Sequence, residues 1–118
     1  MLFIEYPPCS TCKKAKKFLI EHGAEFTARH IVEDTPSKEE LRTWWKQSNL
    51  ELKKFFNTSG KLYKEMQLKD RLKDMSDEEL LTLLSENGML IKRPILVSKK
   101  GILVGFQEDS YKKLCSEE

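Results

Sequence analysis

Two adjacent prolines, Pro7 and Pro8, do most to limit what this chain can fold into. They follow the apolar run Leu2-Phe3-Ile4 and precede a helical pattern that begins at Ser10. Proline has no N–H to give a sheet ladder, so the run is a short strand that ends in a turn. From Ser10 to His22, Ala15, Phe18, Leu19 and His22 recur at helical spacing, with Lys13, Lys14, Lys16 and Lys17 between them. Gly23 stops that helix where a left-handed residue is common. Phe26 to Val32 reads as a second strand. Strand, helix and strand within about 30 residues make a right-handed βαβ crossover, which places the chain in the α/β class.

The middle of the chain is helical. Ser37 with Glu40, and Ser76 with Glu79, have the spacing of capping boxes. The first box opens a helix with Leu41, Trp44 and Trp45 as its apolar stripe. The second opens a helix that buries Leu80, Leu81, Leu83 and Leu84 and ends at Asn87-Gly88. Between them, Asn49 to Phe56 predicts a short helix, Asn57 to Gly60 a loop, and Tyr63–Met66 and Leu68–Leu72 single helical turns. The end returns to β structure. Pro94 to Val97 and Ile102 to Val104 flank Lys99-Lys100-Gly101 as a hairpin, and Glu108 to Leu114 closes with a helix. At 118 residues the chain is expected to be one domain, 1–118, with a helical insertion at about 37–90. The expected fold is βαβ, a helical block, then ββα, with a mixed four-stranded sheet.

The 21 basic and 19 acidic side chains leave a net charge of +2, which argues against a protein that coats nucleic acid. No apolar run approaches the ~18 residues of a membrane span, and Met1 to Cys9 lacks the parts of a signal peptide. The expectation is a cytoplasmic protein without membrane or direct nucleic-acid partners.

Of three cysteines, Cys9 and Cys12 form a Cys-x-x-Cys pair and Cys115 stands near the end. Cys9 falls where the first strand turns into the first helix. A sulfur there meets unpaired N–H groups and the positive end of the helix dipole, both of which favour thiolate. Lys13 and Lys14 add positive charge. The other lysines of the run read as a solvated helix face, with Lys13 the exception. Cys12, one turn further in, is within reach of an adduct on Cys9. The pattern favours a nucleophile with a resolving partner. A zinc pair is the competing reading, but Cys115, His22 and His30 lack ligand spacing; inert thiols are the third. His22 and His30 read as a helix-end and a strand residue.

Arg93-Pro94 is the second notable feature. Either Pro94 opens the third strand through an ordinary trans bond beside a surface arginine, or a cis bond packs it against the Cys9 turn. In the second case Arg93 brings a fixed charge with five N–H donors towards the thiolate.

These residues match a family. Tyr6-Pro7-Pro8-Cys9-Ser10-Thr11-Cys12-Lys13-Lys14-Ala15, Lys54 to Gly60, Leu90-Ile91-Lys92-Arg93-Pro94 and Val104 to Asp109 resemble the arsenate reductase and Spx-like branch of the thioredoxin-like proteins. The resemblance implies a thioredoxin-like fold, a cis Arg93–Pro94 bond, and thiol–disulfide chemistry with Cys9 as nucleophile, Cys12 as resolving thiol and Arg93 facing an anion. It implies substrate contacts at Ser10, Lys13, Asn57 and Pro94, no metal, no bound cofactor, and glutathione with glutaredoxin, or thioredoxin, as reductant. Two departures stand out. Arsenate reductases of this branch carry three arginines around the oxyanion; Arg93 matches one, while Asn57 and Gly105 occupy the positions of the others. Spx regulators contact the RNA polymerase α-subunit through a glycine, where this chain has Leu50. The expectation is weak or absent arsenate reduction, with a Spx-like regulator as the alternative.

Overall fold

The computed structural model describes residues 1–117. In chain order it contains β1 (Leu2–Glu5), α1 (Ser10–Glu21), β2 (Thr27–His30), α2 (Lys38–Ser48), a 3-10 turn at Leu52–Phe55, α3 (Lys61–Glu65) and α4 (Leu68–Arg71). There follow a 3-10 turn at Leu72–Asp74, α5 (Asp77–Glu86), a third at Gly88–Leu90, β3 (Ile95–Ser98), β4 (Gly101–Val104) and α6 (Glu108–Glu117). Two compact units emerge among the described residues: 1–30 with 93–117, and 31–92. No helix among the described residues is long and apolar enough to cross a membrane.

The first unit is built on a mixed four-stranded sheet in the order β2-β1-β3-β4. β1 runs parallel to β2 and antiparallel to β3, and β3 is antiparallel to β4. Phe3 lies opposite Leu96 on the ladder. Both join Ala15, Phe18 and Leu19 of α1 and Tyr111 and Leu114 of α6 in one buried cluster. Burying a Leu or Phe side chain is worth about 1.5–3 kcal/mol, so this cluster fixes α1 and α6 on the sheet. Alternation along the strands turns Ile4 and Ile95 to the opposite face, where both are fully buried.

β2 is shorter than the sequence predicts: it covers Thr27–His30 and not Phe26 to Val32. Its ladder partner sets the length. β1 pairs Leu2 to Glu5 with Thr27 to His30 and then leaves the sheet at Pro7-Pro8. Phe26 instead meets Phe3 edge-on, with ring centroids 5.7 Å apart. Ile31 and Val32 lie in a turn beyond the ladder. β3 likewise starts at Ile95, after the proline, whose carbonyl accepts from Gly105 N–H at 2.7 Å.

In the second unit both capping boxes form. Ser37 Oγ accepts from Glu40 N–H at 3.1 Å, and Glu40 Oε1 accepts from Ser37 N–H at 3.0 Å. Ser76 and Glu79 repeat this at 3.2 and 3.1 Å. Arg42 of α2 forks onto both Glu78 oxygens of α5 at 2.8 and 2.7 Å, and Lys38 Nζ reaches the same carboxylate at 2.9 Å. Lys38 first, then Arg42, hold the Glu78 carboxyl below its ordinary range. Trp45 departs from the expected apolar stripe: it is half-buried, and its indole N–H donates to Leu50 O at 2.9 Å. Leu83 is likewise only half-buried. The helix expected from Asn49 contracts to Leu52–Phe55, because Asn49 is the left-handed C-cap of α2 at φ 60°. The turn expected at Tyr63–Met66 begins earlier, with α3 at Lys61–Glu65. Gly88 has a steric reason: a Cβ there would stand 2.3 Å from Ile31 O.

Candidate active site

Cys9 is the N-cap of α1, in extended conformation at φ −71° and ψ 126°. The Pro7-Pro8 turn brings it there, and its N–H donates to Tyr6 O at 2.8 Å. No capping hydrogen bond of standard geometry closes on the sulfur, so first-turn N–H groups remain to serve a thiolate. Partial burial works against ionisation of Cys9. The N–H and thiol of Cys12, the N–H of Thr11 and the charge of Arg93 outweigh it, and the Cys9 pKa lies below its ordinary value.

Cys12, one turn along, is fully buried. Burial pushes its thiol up to about 12, and the neighbouring Cys9 sulfur adds to the rise through its hydrogen bond and charge. Tyr6 N–H, donating to Cys12 Sγ at 3.5 Å, and the Arg93 charge offset only part of this. At neutral pH the pair therefore holds one thiol drawn towards thiolate and one kept protonated.

The Arg93–Pro94 bond is cis, as the resemblance implied. Pro94 is buried, and Arg93 is half-buried with its Cζ 4.9 Å from the centroid of the Tyr6 ring. Ser10 and Lys13 lie on the exposed side of α1, and Lys13 N–H donates to Cys9 O at 3.0 Å. Asn57 belongs to the second unit, where its N–H donates to Leu90 O at 2.7 Å next to the Phe56–Ile91 bridge. Gly105 is buried at φ 85°, so an arginine side chain in its place would be strained by roughly 1–2 kcal/mol.

Two tyrosines escaped the sequence reading. Tyr6 touches Cys9 and Cys12 through its backbone and Arg93 through its ring. Its place three residues before Cys9 was the only signal. Tyr111 is fully buried, and its hydroxyl donates to Gly105 O at 3.1 Å, which ties α6 to the loop whose N–H holds Pro94 O. Burial first, then the nearby cysteines, push the Tyr111 phenol well up. His22 stacks on Phe18 at 3.9 Å, and His30 closes β2 beside Tyr6, matching the structural roles expected of them. Cys115 is half-buried and packs against the Phe3–Tyr111 cluster. Among the described residues, no group of three or more His, Cys, Asp or Glu side chains is placed to hold a metal ion.

The chain is similar to several known proteins. The protein YusI of Bacillus subtilis (strain 168) is 51% identical over 113 residues, covering 96% of each chain. The regulatory protein MgsR of the same organism is 32% identical over 114 residues, 97% of this chain and 89% of its own. The crystal structure of an ArsC family related protein from Bacteroides fragilis superposes with a TM-score of 0.93. It is 52% identical and is matched over 96% of this chain and 95% of its own. The sheet order and the neighbours together make the fold thioredoxin-like. The model of the ArsC family matches residues 4–114, from β1 to near the end of α6, and the chain belongs to that family.

Proposed function

We propose that the protein is a cytoplasmic thiol–disulfide oxidoreductase in which Cys9 is the nucleophile and Cys12 the resolving thiol. The observation that carries the reading is the placement of two thiols three residues apart, Cys9 at the N-cap of α1 and Cys12 buried one turn in. The Cys9 thiolate attacks one sulfur of a substrate disulfide. A Cys9–substrate bond forms, the substrate S–S bond breaks, and the leaving thiolate takes up a proton. Cys9 then carries no charge, so two causes that kept Cys12 protonated, the charge and hydrogen bond of the Cys9 sulfur, fall away. Cys12 gives up its proton, attacks the Cys9 sulfur and expels the second thiol. The substrate gains two electrons and two protons, and Cys9 and Cys12 end as a disulfide. Glutathione with glutaredoxin, or thioredoxin, returns the pair to dithiol.

Arg93 orients an anionic group on the substrate, with Ser10 and Lys13 as polar contacts and Pro94 as the buried wall. Each absent charge-assisted contact costs ~1.5–3 kcal/mol, so two missing arginines cost roughly 3–6 kcal/mol, or about a hundredfold to ten-thousandfold in oxyanion affinity. Turnover of a glutathionylated peptide and of arsenate, side by side with each purified reductant, tests the reading. Peptide reduction that disappears in Cys9→Ser, with slow or absent arsenate reduction, is expected. Efficient arsenate turnover, or peptide reduction that survives Cys9→Ser, would overturn it.

The similarity to the regulatory protein MgsR favours a second reading, in which the same disulfide switches binding to the RNA polymerase α-subunit. Retention of that subunit by only one of the reduced and oxidised forms would select it. Leu50, in place of the glycine used by Spx regulators, weighs against it.

A further inference from the structure

One aromatic residue joins the parts of the candidate site. The Tyr6 carbonyl accepts from Cys9 N–H at 2.8 Å, and its N–H donates to Cys12 Sγ at 3.5 Å. The face of its ring lies 4.9 Å from Arg93 Cζ, inside the ~6 Å over which a ring quadrupole attracts a cation. His30, the last residue of β2, packs against the same ring at 5.8 Å with the planes at 88°. The backbone around Tyr6 is held as well: β1 ends at Glu5, and Pro7 restricts the residue before it to extended conformations. The ring is therefore a fixed surface, whereas an arginine side chain on its own has many rotamers to choose from.

We infer that Tyr6 is a positioning residue, whose ring seats the Arg93 guanidinium in electrostatic range of the Cys9 sulfur and of an anionic substrate. The inference rests on the proposed thiol–disulfide chemistry and assigns its anion specificity to a pair, Tyr6 with Arg93. Arg93 supplies the charge, and the π face of Tyr6 decides where that charge sits. The phenol hydroxyl has no part in this. Of the other ionisable groups, Cys12 acts on Cys9, His30 packs on the ring, and Lys13 and Lys14 are exposed on α1.

The test compares Tyr6→Phe, which keeps the π face, with Tyr6→Leu, which keeps bulk and loses it. Two readouts are taken: the pH midpoint of Cys9 alkylation by iodoacetamide, and the rates with oxidised glutathione and with an uncharged disulfide of similar size. Tyr6→Leu should raise the midpoint and slow oxidised glutathione by about two- to fivefold, the range of an exposed cation–π contact, and slow the neutral disulfide less. Tyr6→Phe should keep both properties. In an Arg93→Ala background, Tyr6→Leu should change neither. If Tyr6→Leu does not fold, pentafluorophenylalanine at position 6 keeps the ring shape without its negative face and should reproduce the loss. Loss in Tyr6→Phe equal to that in Tyr6→Leu, or an effect that persists without Arg93, would overturn the inference. Alkylation reads Cys9 without turnover. An unmodified protein that reduces no disulfide therefore refutes the proposed reaction, while an unmoved midpoint in Tyr6→Leu refutes the role of Tyr6 alone.

Discussion

Replacing Cys12 by alanine should make Cys9 a weaker nucleophile at neutral pH, although Cys9 itself is untouched. Against the cost of burial, Cys12 supports the Cys9 thiolate through its N–H and through its thiol, and alanine removes only the second. Hydrogen bonds to charged groups are worth ~1.5–3 kcal/mol, and a thiol is a weak donor, so a loss of about 1 kcal/mol is reasonable. At 1.36 kcal/mol per pKa unit this raises the Cys9 midpoint by roughly 0.7 units. Well below the midpoint, the thiolate fraction and the alkylation rate fall about fivefold. Water entering the vacated space would ease the burial of Cys9, so the figure is an upper bound. Cys12→Ser keeps the volume and supplies a better donor, and should hold the midpoint at or below that of the unmodified protein. Arg93 ranks behind the hydrogen bonds, so Arg93→Ala should move the midpoint less than Cys12→Ala does. Iodoacetamide labelling from pH 5 to 10, read by mass spectrometry on the Cys9 peptide, measures all three. A midpoint unmoved in Cys12→Ala, or moved further in Arg93→Ala, would refute the assignment of Cys12 as the donor.

Mild oxidation with diamide should link Cys9 to Cys12 and leave Cys115 free, as peptide mapping would show; a Cys9–Cys115 bridge would contradict the two-thiol scheme. Cys12 is raised to about 12 in the folded chain and titrates near 8.5 when unfolded, so its contribution to stability is whole below pH 8.5 and is lost as pH rises towards 12. Urea unfolding at pH 8 and pH 10 should show a loss of up to about 1.4 kcal/mol per pH unit from this group, and a smaller loss in Cys12→Ser. Gly88→Ala should destabilise the protein by about 2–4 kcal/mol in denaturant melts, because its Cβ would meet the backbone oxygen of Ile31 at 2.3 Å. Tyr111→Phe should cost about 0.5–1.5 kcal/mol in a thermal melt, through the loss of the bond from its hydroxyl to Gly105 O.

Much of this molecule was legible in local chemistry. Pro7-Pro8 ends a strand, Gly23 takes φ 67° just past α1, and Ser37 and Ser76 cap their helices, because each depends on atoms only a few residues apart. Cys9 at a helix N-terminus was readable for the same reason: the N–H groups that act on it come from Thr11 and Cys12. What depends on distant segments was not readable. The length of β2 follows from where β1 leaves the ladder. The seat of Arg93 on Tyr6 needs the third strand beside the first. Hydrogen bonds within a turn are fixed by spacing along the chain, whereas those contacts exist only once the sheet has set its strand order.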